Sequence, residues 1–227
     1  MNQTVSTQPE TLSRPIKECL AYIFPTPLAL HQWPDSDALN AELAAVVKEA
    51  EAAAEPASPH KAKSNVGGWH SDVRFIHRDE PCLARLRARI TTLADEFTGA
   101  MVADPTRFDV TIEGWANVLR DGSYNSLHMH PGCTWSGVYY VTDAGLPPDP
   151  QNPSPEDILG TIEFLDPRPG AVASVMPENR MERRSVFNPP AGAMIMFPSW
   201  LQHMVHPYRG DGERISVAFN VKLQSKA

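Results

Sequence analysis

The chain has 227 residues, enough for one domain with a full hydrophobic core that needs no disulfide or structural metal. Hydrophobic residues make up 42% and charged residues 21%, which excludes a disordered or fibrous protein. The net charge is −7 and the Lys and Arg residues are scattered, so the sequence argues against a nucleic-acid partner.

The cysteines and the apolar segments predict a cytoplasmic protein. Cys19, Cys82 and Cys133 are far apart and odd in number, so they indicate neither a disulfide framework nor a thiolate zinc site. No apolar stretch reaches the ~18 residues that a membrane span requires. The N-terminus also lacks the basic-then-apolar pattern of a signal peptide. We therefore predict no membrane partner.

The N-terminal half predicts a tail and two helices. Residues 1–14 are polar and predict a flexible tail, and residues 15–227 predict a single domain. The apolar segment 19–24 would form an edge strand, which could pair across a homodimer. Ser36 or Asp37 offers an N-cap side chain to a helix over residues 38–54. A second helix opens at residues 79–80, and its apolar stripe predicts packing against a sheet: Leu83, Leu86, Ile90, Leu93 and Phe97.

The C-terminal half predicts a barrel or jelly roll. Short runs rich in Val, Ile, Tyr, Phe and Trp alternate with turn residues, and they predict eight strands near residues 108–119, 127–130, 136–141, 160–164, 185–187, 193–197, 204–206 and 215–223. Two long insertions, 145–157 and 167–184, interrupt the series. The second would serve either as a lid or as a plain surface loop.

Two groups of histidines in the strand-rich half predict a metal site. Residues two apart on a strand point to the same face, so His128 and His130 would share one ion. A facial set of three needs a further ligand from a distant strand, and either His203 or His206 would supply it. Imidazoles alone do not select among Fe, Zn, Ni and Cu.

A candidate anion site follows the second histidine group. Arg214 and Ser216 lie two apart on one predicted strand and therefore face the same side. A guanidinium binds a carboxylate through two hydrogen bonds, and the hydroxyl would add another. The pair would grip a dicarboxylate, although Glu213 could instead be a surface partner of the Arg.

Aromatic residues divide into expected core and expected pocket positions. Alternation with polar neighbours predicts core positions for Trp115, Tyr139, Phe164, Phe197 and Phe219. Positions at strand or loop ends make pocket candidates of Trp135, Arg168 and Trp200. The segment 68–71 would either fold over the mouth of the site or pack Trp69 on the barrel.

Five segments carry a resemblance to a known family: 117–132 (NVLRDGSYNSLHMHPG), 136–141 (SGVYYV), 166–168 (DPR), 192–205 (GAMIMFPSWLQHMV) and 214–220 (RISVAFN). In this order they resemble the 2-oxoglutarate- and Fe(II)-dependent oxygenases, and within that superfamily an uncharacterised group of bacteria and phage. The resemblance covers about residues 64–223.

The resemblance implies a fold and a ligand set. The fold would be mainly β with flanking helices, a double-stranded β-helix of the jelly-roll, cupin-like kind, with its core at about residues 107–223. His128 and His203 would bind Fe(II), and Arg214 with Ser216 would bind the far carboxylate of 2-oxoglutarate. Asn117 matches a position that contacts this cosubstrate in related oxygenases, and it would otherwise be a strand-end turn residue.

One position departs from the superfamily pattern. The usual motif is His-x-Asp or His-x-Glu, and this chain has His130 in place of the carboxylate. Three accounts follow: a three-histidine iron site, a carboxylate supplied from elsewhere such as Glu163 or Asp166, or a different metal. His206, next to Pro207, would face the other way from His203 and lie at the surface.

The sequence thus predicts a 2-oxoglutarate-dependent dioxygenase that hydroxylates a small metabolite or a protein side chain and releases succinate and CO2. One alternative is a cupin-like metalloenzyme with three histidines and no 2-oxoglutarate. Another is a non-enzymatic barrel that binds a small molecule. Arg214 separates the first reading from the others, because only that reading requires a carboxylate partner for it.

Overall fold

A computed structural model describes residues 24–54, 64–142, 158–168 and 184–226. The predicted tail, the segment 19–23 and nearly all of both long insertions lie outside these residues, and Phe24 lies in a bend. Within them, no helix is both long enough and apolar enough to cross a membrane.

Two α-helices, α1 (Asp37–Ala52) and α2 (Pro81–Met101), lie in the N-terminal half. Each helix end that the sequence predicted lies within two residues of the observed end. Ser36 occupies the N-cap of α1, but the prediction that a side chain caps this helix is wrong: the Ser36 hydroxyl donates to the carbonyl of Trp33 instead. The stripe on α2 is buried as predicted at Leu83, Leu86, Ile90 and Phe97, with Leu93 partly buried.

Within the described ranges, eleven strands form two antiparallel sheets. The first sheet has the order β1-β9-β6-β11-β4-β3, and the second has the order β2-β5-β10-β7-β8. The strands are β1 (Ala29–Gln32), β2 (Asn65–Val66), β3 (Trp69–His70), β4 (Phe108–Leu119), β5 (Tyr124–His128), β6 (Trp135–Tyr140), β7 (Ile162–Leu165), β8 (Arg184–Phe187), β9 (Ala193–Pro198), β10 (His203–Val205) and β11 (Arg214–Ser225). Short 3-10 turns occupy Phe75–His77 and Pro105–Arg107.

The two helices cover one face of the first sheet. Alternate residues of β4, β6, β9 and β11 pack there against α1 and α2 in the larger apolar cluster. Polar contacts join the layers as well: the hydroxyl of Tyr139 donates to Asn40 Oδ1 at 2.7 Å, and Arg89 donates to the same hydroxyl at 3.1 Å. The opposite face of this sheet turns toward the second sheet.

A smaller cluster and a cavity lie between the sheets. Buried side chains fill one part of this space: Leu119, Tyr140, Ile162, Phe164, Ile195, Phe197, Leu201, Val205 and Tyr208. The predicted core positions of Tyr139, Phe164, Phe197 and Phe219 are all buried. The facing side chains of β4, β5, β10 and β11 leave the cavity that contains the predicted site.

Candidate metal and cosubstrate site

His128 and His203 meet because their strands pair. His128 is the last residue of β5, and His203 is the first residue of β10. The two are direct partners in the antiparallel register, and their ring centroids lie 4.3 Å apart. Hydrogen bonding between the strands therefore places two candidate ligands side by side.

His130 reaches the same point by a different route from the predicted one. The expectation that it shares a strand face with His128 is wrong, because β5 ends at His128. The His130 amide instead donates to the carbonyl of Ser199 at 2.8 Å, in the loop before β10. Gly132 follows with a φ of +86°, which lets the chain turn back toward β6. The His130 ring lies 5.0 Å from that of His128 and 5.3 Å from that of His203.

The three imidazoles present suitable donor atoms to one cation. One ring nitrogen from each lies within 4.8 Å of those of the other two. Nδ1 of His128 lies 2.7 Å from the carbonyl of Ser126, and Nδ1 of His203 lies 2.9 Å from that of Leu201. A carbonyl only accepts, so each Nδ1 carries the proton and the Nε2 lone pair is left for a metal. This donor set fits a divalent transition metal such as Fe(II).

Burial keeps these histidines in the metal-binding form. The pKa of His203 is lowered to about 3 and that of His130 to about 4, chiefly by burial and in smaller part by the nearby His128. Burial also lowers the pKa of His128, although the hydrogen bond to the Ser126 carbonyl opposes the shift. All three rings are therefore neutral near pH 7, as metal ligands must be.

The structure brings neither proposed substitute carboxylate to the histidines. Oε2 of Glu163 lies 2.6 Å from Nε2 of His206, and both side chains are largely buried. The prediction of a surface position for His206 is therefore wrong. Asp166 forms an ion pair with Arg168. Among the described residues, the group that could hold a metal contains the three histidines and no acid.

Arg214, Ser216 and Asn117 lie together at the closed end of the cavity. Ser216 pairs with Asn117 in the register of β11 and β4, and all three residues are buried. The guanidinium of Arg214 lies 5.1 Å from the centroid of the Tyr140 ring. Burial lowers the pKa of Arg214, and burial raises the pKa of Tyr140, which lies beside it without a well-formed hydrogen bond.

Two polar groups at this end are left for a ligand, and the first of them suits an anion. No carboxylate in the described part of the chain faces the Arg214 guanidinium, which is 4% exposed as a residue. Oδ1 of Asn117 is buried, and within the same described ranges it accepts no hydrogen bond. A buried charge that lacks an ion of opposite charge is costly. A carboxylate bound here would provide the guanidinium with one.

One cavity of about 330 Å³ joins the histidines to this end. His70 and Trp115 also line it, and their rings stack with centroids 5.6 Å apart. The prediction of a core position for Trp115 is thus wrong. The signal was present, because Trp115 is two residues from Asn117 on the same strand and must share its face. Pairing of β3 with β4 brings His70 to the cavity, and Trp69, the other residue of β3, packs on the core.

The predicted pocket residues at strand ends do not line this cavity. Nε1 of Trp135 donates to Thr98 at 2.9 Å, which ties β6 to α2. Arg168 is engaged by Asp166, and Trp200 is 49% exposed away from the cavity. These side chains therefore serve packing and surface contacts in the described structure.

Residues 113–220 match the model of a family described as "Putative 2OG-Fe(II) oxygenase", in which 2OG is 2-oxoglutarate. This segment, 108 of the 227 residues, resembles that family. The match confirms the resemblance read from the sequence motifs, and it gives Fe(II) and 2-oxoglutarate as the cofactors of this oxygenase. No curated protein matches the chain significantly.

Solved structures of 2-oxoglutarate oxygenases share the fold. A prolyl-4-hydroxylase from Pseudomonas putida is 14% identical with a TM-score of 0.58, over 89% of this chain and 94% of that one. The epimerase SnoN from nogalamycin biosynthesis is 13% identical with a TM-score of 0.61, over 89% of this chain and 79% of SnoN. HygX from Streptomyces hygroscopicus is 15% identical with a TM-score of 0.53, over 87% of this chain and 83% of HygX, and it was solved with nickel, 2-oxoglutarate and hygromycin B. The double-stranded β-helix is therefore confirmed.

Proposed function

We propose that this oxygenase hydroxylates a small metabolite or a protein side chain and converts 2-oxoglutarate to succinate and CO2. The family match supports the use of Fe(II) and 2-oxoglutarate. The arrangement of the three histidines supports a metal centre held by His128, His130 and His203. Bound Fe(II) supplies the activation of O2 that an unactivated C–H bond requires.

The single observation that carries this proposal is the buried Arg214 in the same cavity as the histidines. Arg214 would bind the distal carboxylate of 2-oxoglutarate through two charge-assisted hydrogen bonds, and Ser216 would add a third. The side-chain Nδ2 of Asn117 would donate to an oxygen of the cosubstrate. These contacts orient the cosubstrate along the cavity, with its other end toward the imidazoles.

The surrounding side chains exclude water from the cosubstrate end. Tyr140, Ile162 and Phe197 line the cavity there and are each at most 2% exposed. A dry environment strengthens the contact between Arg214 and a carboxylate. The chain thus contributes binding, orientation and shielding to the reaction.

The proposal is tested by adding Fe(II) and 2-oxoglutarate to the protein without O2 and recording the visible spectrum. We expect the weak charge-transfer band of a chelated Fe(II) keto acid. Arg214→Ala should raise at least tenfold the 2-oxoglutarate concentration at which the band reaches half of its maximal intensity. The reason is that hydrogen bonds to charged groups contribute about 1.5–3 kcal/mol. The matched control is Arg209→Ala, because Arg209 is exposed and pairs with Asp121 at the surface.

Other outcomes would favour the alternatives. A protein that binds Fe(II) but shows no band at any 2-oxoglutarate concentration would be a cupin-like three-histidine enzyme of another kind. A protein that retains neither metal nor cosubstrate would be a simple binding barrel. Either result would contradict the proposal, as would an Arg214→Ala variant with an unchanged titration.

We also propose a cytoplasmic location and a substrate that is neither nucleic acid nor membrane lipid. The acidic balance of the chain supports the second statement. Cys82 and Cys133 are free thiols, which supports a reducing compartment. Pairing of two copies through the segment 19–24 stays a prediction.

A further inference from the structure

An aromatic strip connects the metal site to the mouth of the cavity. The ring of His70 stacks on that of Trp115 with an interplanar angle of 23°. The ring of Trp115 in turn lies 5.7 Å from that of His130. We define His70 and Trp115 as the aromatic strip, which ends at the candidate ligand His130.

The strip adjoins the cosubstrate end, because His70 pairs with Asn117 across β3 and β4, and it extends from there toward the mouth of the cavity. Val73 and Met129 also line the cavity and are 44% and 49% exposed, so they mark its mouth. Arg214 and Ser216 mark the closed end, at 4% and 2% exposed. A molecule that enters after 2-oxoglutarate has bound would meet the strip beside His130.

The charges of the cavity favour an anion. Among the described residues that line it, Arg214 carries a fixed positive charge and none is Asp or Glu. With neutral histidine ligands, the charges of Fe(II) and Arg214 exceed the two negative charges of 2-oxoglutarate by one. A carboxylate at the position of His130 would have cancelled this excess. A cationic substrate therefore meets repulsion, and an anionic one meets attraction.

We propose that the aromatic strip is the binding site of the substrate to be oxidised, and that this site takes a small planar anion such as an aromatic carboxylate. The flat faces of Trp115 and His70 suit a ring. The cavity volume of about 330 Å³ is at the low end for ligand sites and must also hold 2-oxoglutarate, so the group that enters is small. This inference rests on the proposed function and adds the substrate class to it.

The test is a calorimetric titration of the Fe(II) protein, saturated with 2-oxoglutarate and kept without O2. The probes are benzoate, benzamide and benzamidine, which have nearly the same shape and carry a negative charge, no charge and a positive charge. Cyclohexanecarboxylate keeps the charge of benzoate and removes its planarity. We expect benzoate to bind at least tenfold more tightly than benzamidine or cyclohexanecarboxylate, with benzamide between.

Variants then locate the binding. Trp115→Leu and His70→Ala should each weaken benzoate binding at least tenfold while the visible band with 2-oxoglutarate stays. The matched control is Trp200→Leu, which removes an indole outside the cavity and should leave benzoate binding within twofold of the unaltered protein. If Trp115→Leu does not fold, as judged by circular dichroism, His70→Ala decides the question.

Several results would overturn the inference. Benzamidine binding as tightly as benzoate would exclude the charge argument, and equal binding of cyclohexanecarboxylate would exclude the planar one. Displacement of 2-oxoglutarate by benzoate would place the probe at Arg214 instead of the strip. If the visible band is normal before any probe is added, each of these results would sink this inference alone. Absence of the band at that stage would sink the proposed function and this inference with it.

Discussion

Thr142 holds the backbone on both sides of Arg214. Its hydroxyl donates to the carbonyl of Glu213 at 2.8 Å and accepts from the amide of Ile215 at 2.9 Å. The two hydrogen bonds bracket the residue whose guanidinium would bind the cosubstrate. Thr142 touches neither the cavity nor the histidines among the described contacts, so it would act as a positioning residue.

The variant Thr142→Val keeps the shape of the side chain and removes both hydrogen bonds. We expect the free energy of unfolding to fall by about 1–3 kcal/mol, because the amide of Ile215 is left without its acceptor. We also expect the KM for 2-oxoglutarate to rise roughly threefold to tenfold, equivalent to about 1 kcal/mol, with kcat nearly unchanged. Steady-state kinetics and urea unfolding measure the two effects.

A matched control separates the two effects. Thr91 also bonds to a backbone carbonyl, that of Arg87 at 3.0 Å within α2. Thr91→Val should lower stability slightly and leave the KM for 2-oxoglutarate unchanged. If Thr142→Val behaves like Thr91→Val, the hydroxyl of Thr142 has no part in positioning Arg214.

At the scale of elements, a charged network ties α1 to the strand ends beside the cosubstrate site. Arg120, directly after β4, donates to both oxygens of Glu51 on α1 at 2.7 and 2.8 Å. It also donates to Glu213, the residue before β11, and Lys48 donates to the same carboxylate. These contacts lower the pKa of Glu51, chiefly through Arg120, and that of Glu213, chiefly through Lys48.

Removing one carboxylate tests the network. Glu51→Gln should lower the free energy of unfolding by about 1 kcal/mol at low salt, the upper end for partly exposed ion pairs. The loss should shrink as salt is added, because salt screens exposed charges. Glu42→Gln on the same helix is the control, since Glu42 pairs with Arg85 where both are about half exposed. An equal loss for the two variants would show that the network adds nothing to an ordinary surface pair.

The elements differ in how far the sequence could predict them. Strand β4 was predicted at its observed bounds, and the predicted bounds of β9 and β11 differ from the observed ones by a few residues. These strands could be predicted because much of their length is buried on both faces and therefore apolar. The two-residue strands β2 and β3 were not predicted. Their sequences carry no pattern long enough to detect, since pairing with β5 and β4 alone defines them. This is why the sequence left open whether the segment 68–71 lies over the mouth of the site or packs Trp69 on the barrel, whereas the structure shows His70 at the cavity and Trp69 on the core.

The candidate site shows the same division. His128, His203, Arg214 and Ser216 could be placed together from strand periodicity and motif resemblance. The true path of His130 could not, because its position depends on a hydrogen bond to Ser199 from a distant part of the chain. The burial of the Glu163–His206 pair likewise depends on tertiary packing that no local pattern records.

At the scale of the whole molecule, the buried histidines make the stability of the metal-free protein depend on pH. Their folded-state pKa values are lowered, to about 4 for His130 and about 3 for His203, below the unfolded value near 6.5. As pH falls below about 6.5, the unfolded chain therefore binds protons first, and the free energy of unfolding decreases. The loss continues until pH falls through the folded-state values.

Chemical unfolding of the chelator-treated protein between pH 7.5 and 4 measures this dependence. We expect stability to be greatest above pH 6.5 and to fall with decreasing pH, at up to about 1.4 kcal/mol per pH unit for each histidine. His130→Gln should flatten the curve. His31→Gln is the control, because His31 is exposed on β1. A curve for His130→Gln that parallels that of the unaltered protein would contradict the assignment of the effect to the buried imidazole.

The placement of His130 just past the end of β5 has a consequence for how this scaffold can diversify. His128 and His203 are fixed as partners within the ladder between β5 and β10, whereas His130 lies outside both strands and its backbone amide donates to Ser199. Exchange of its side chain therefore leaves every strand pairing intact. Substitution at this one position can therefore change the charge and the ligand chemistry around the metal ion while the pairing of the strands stays the same.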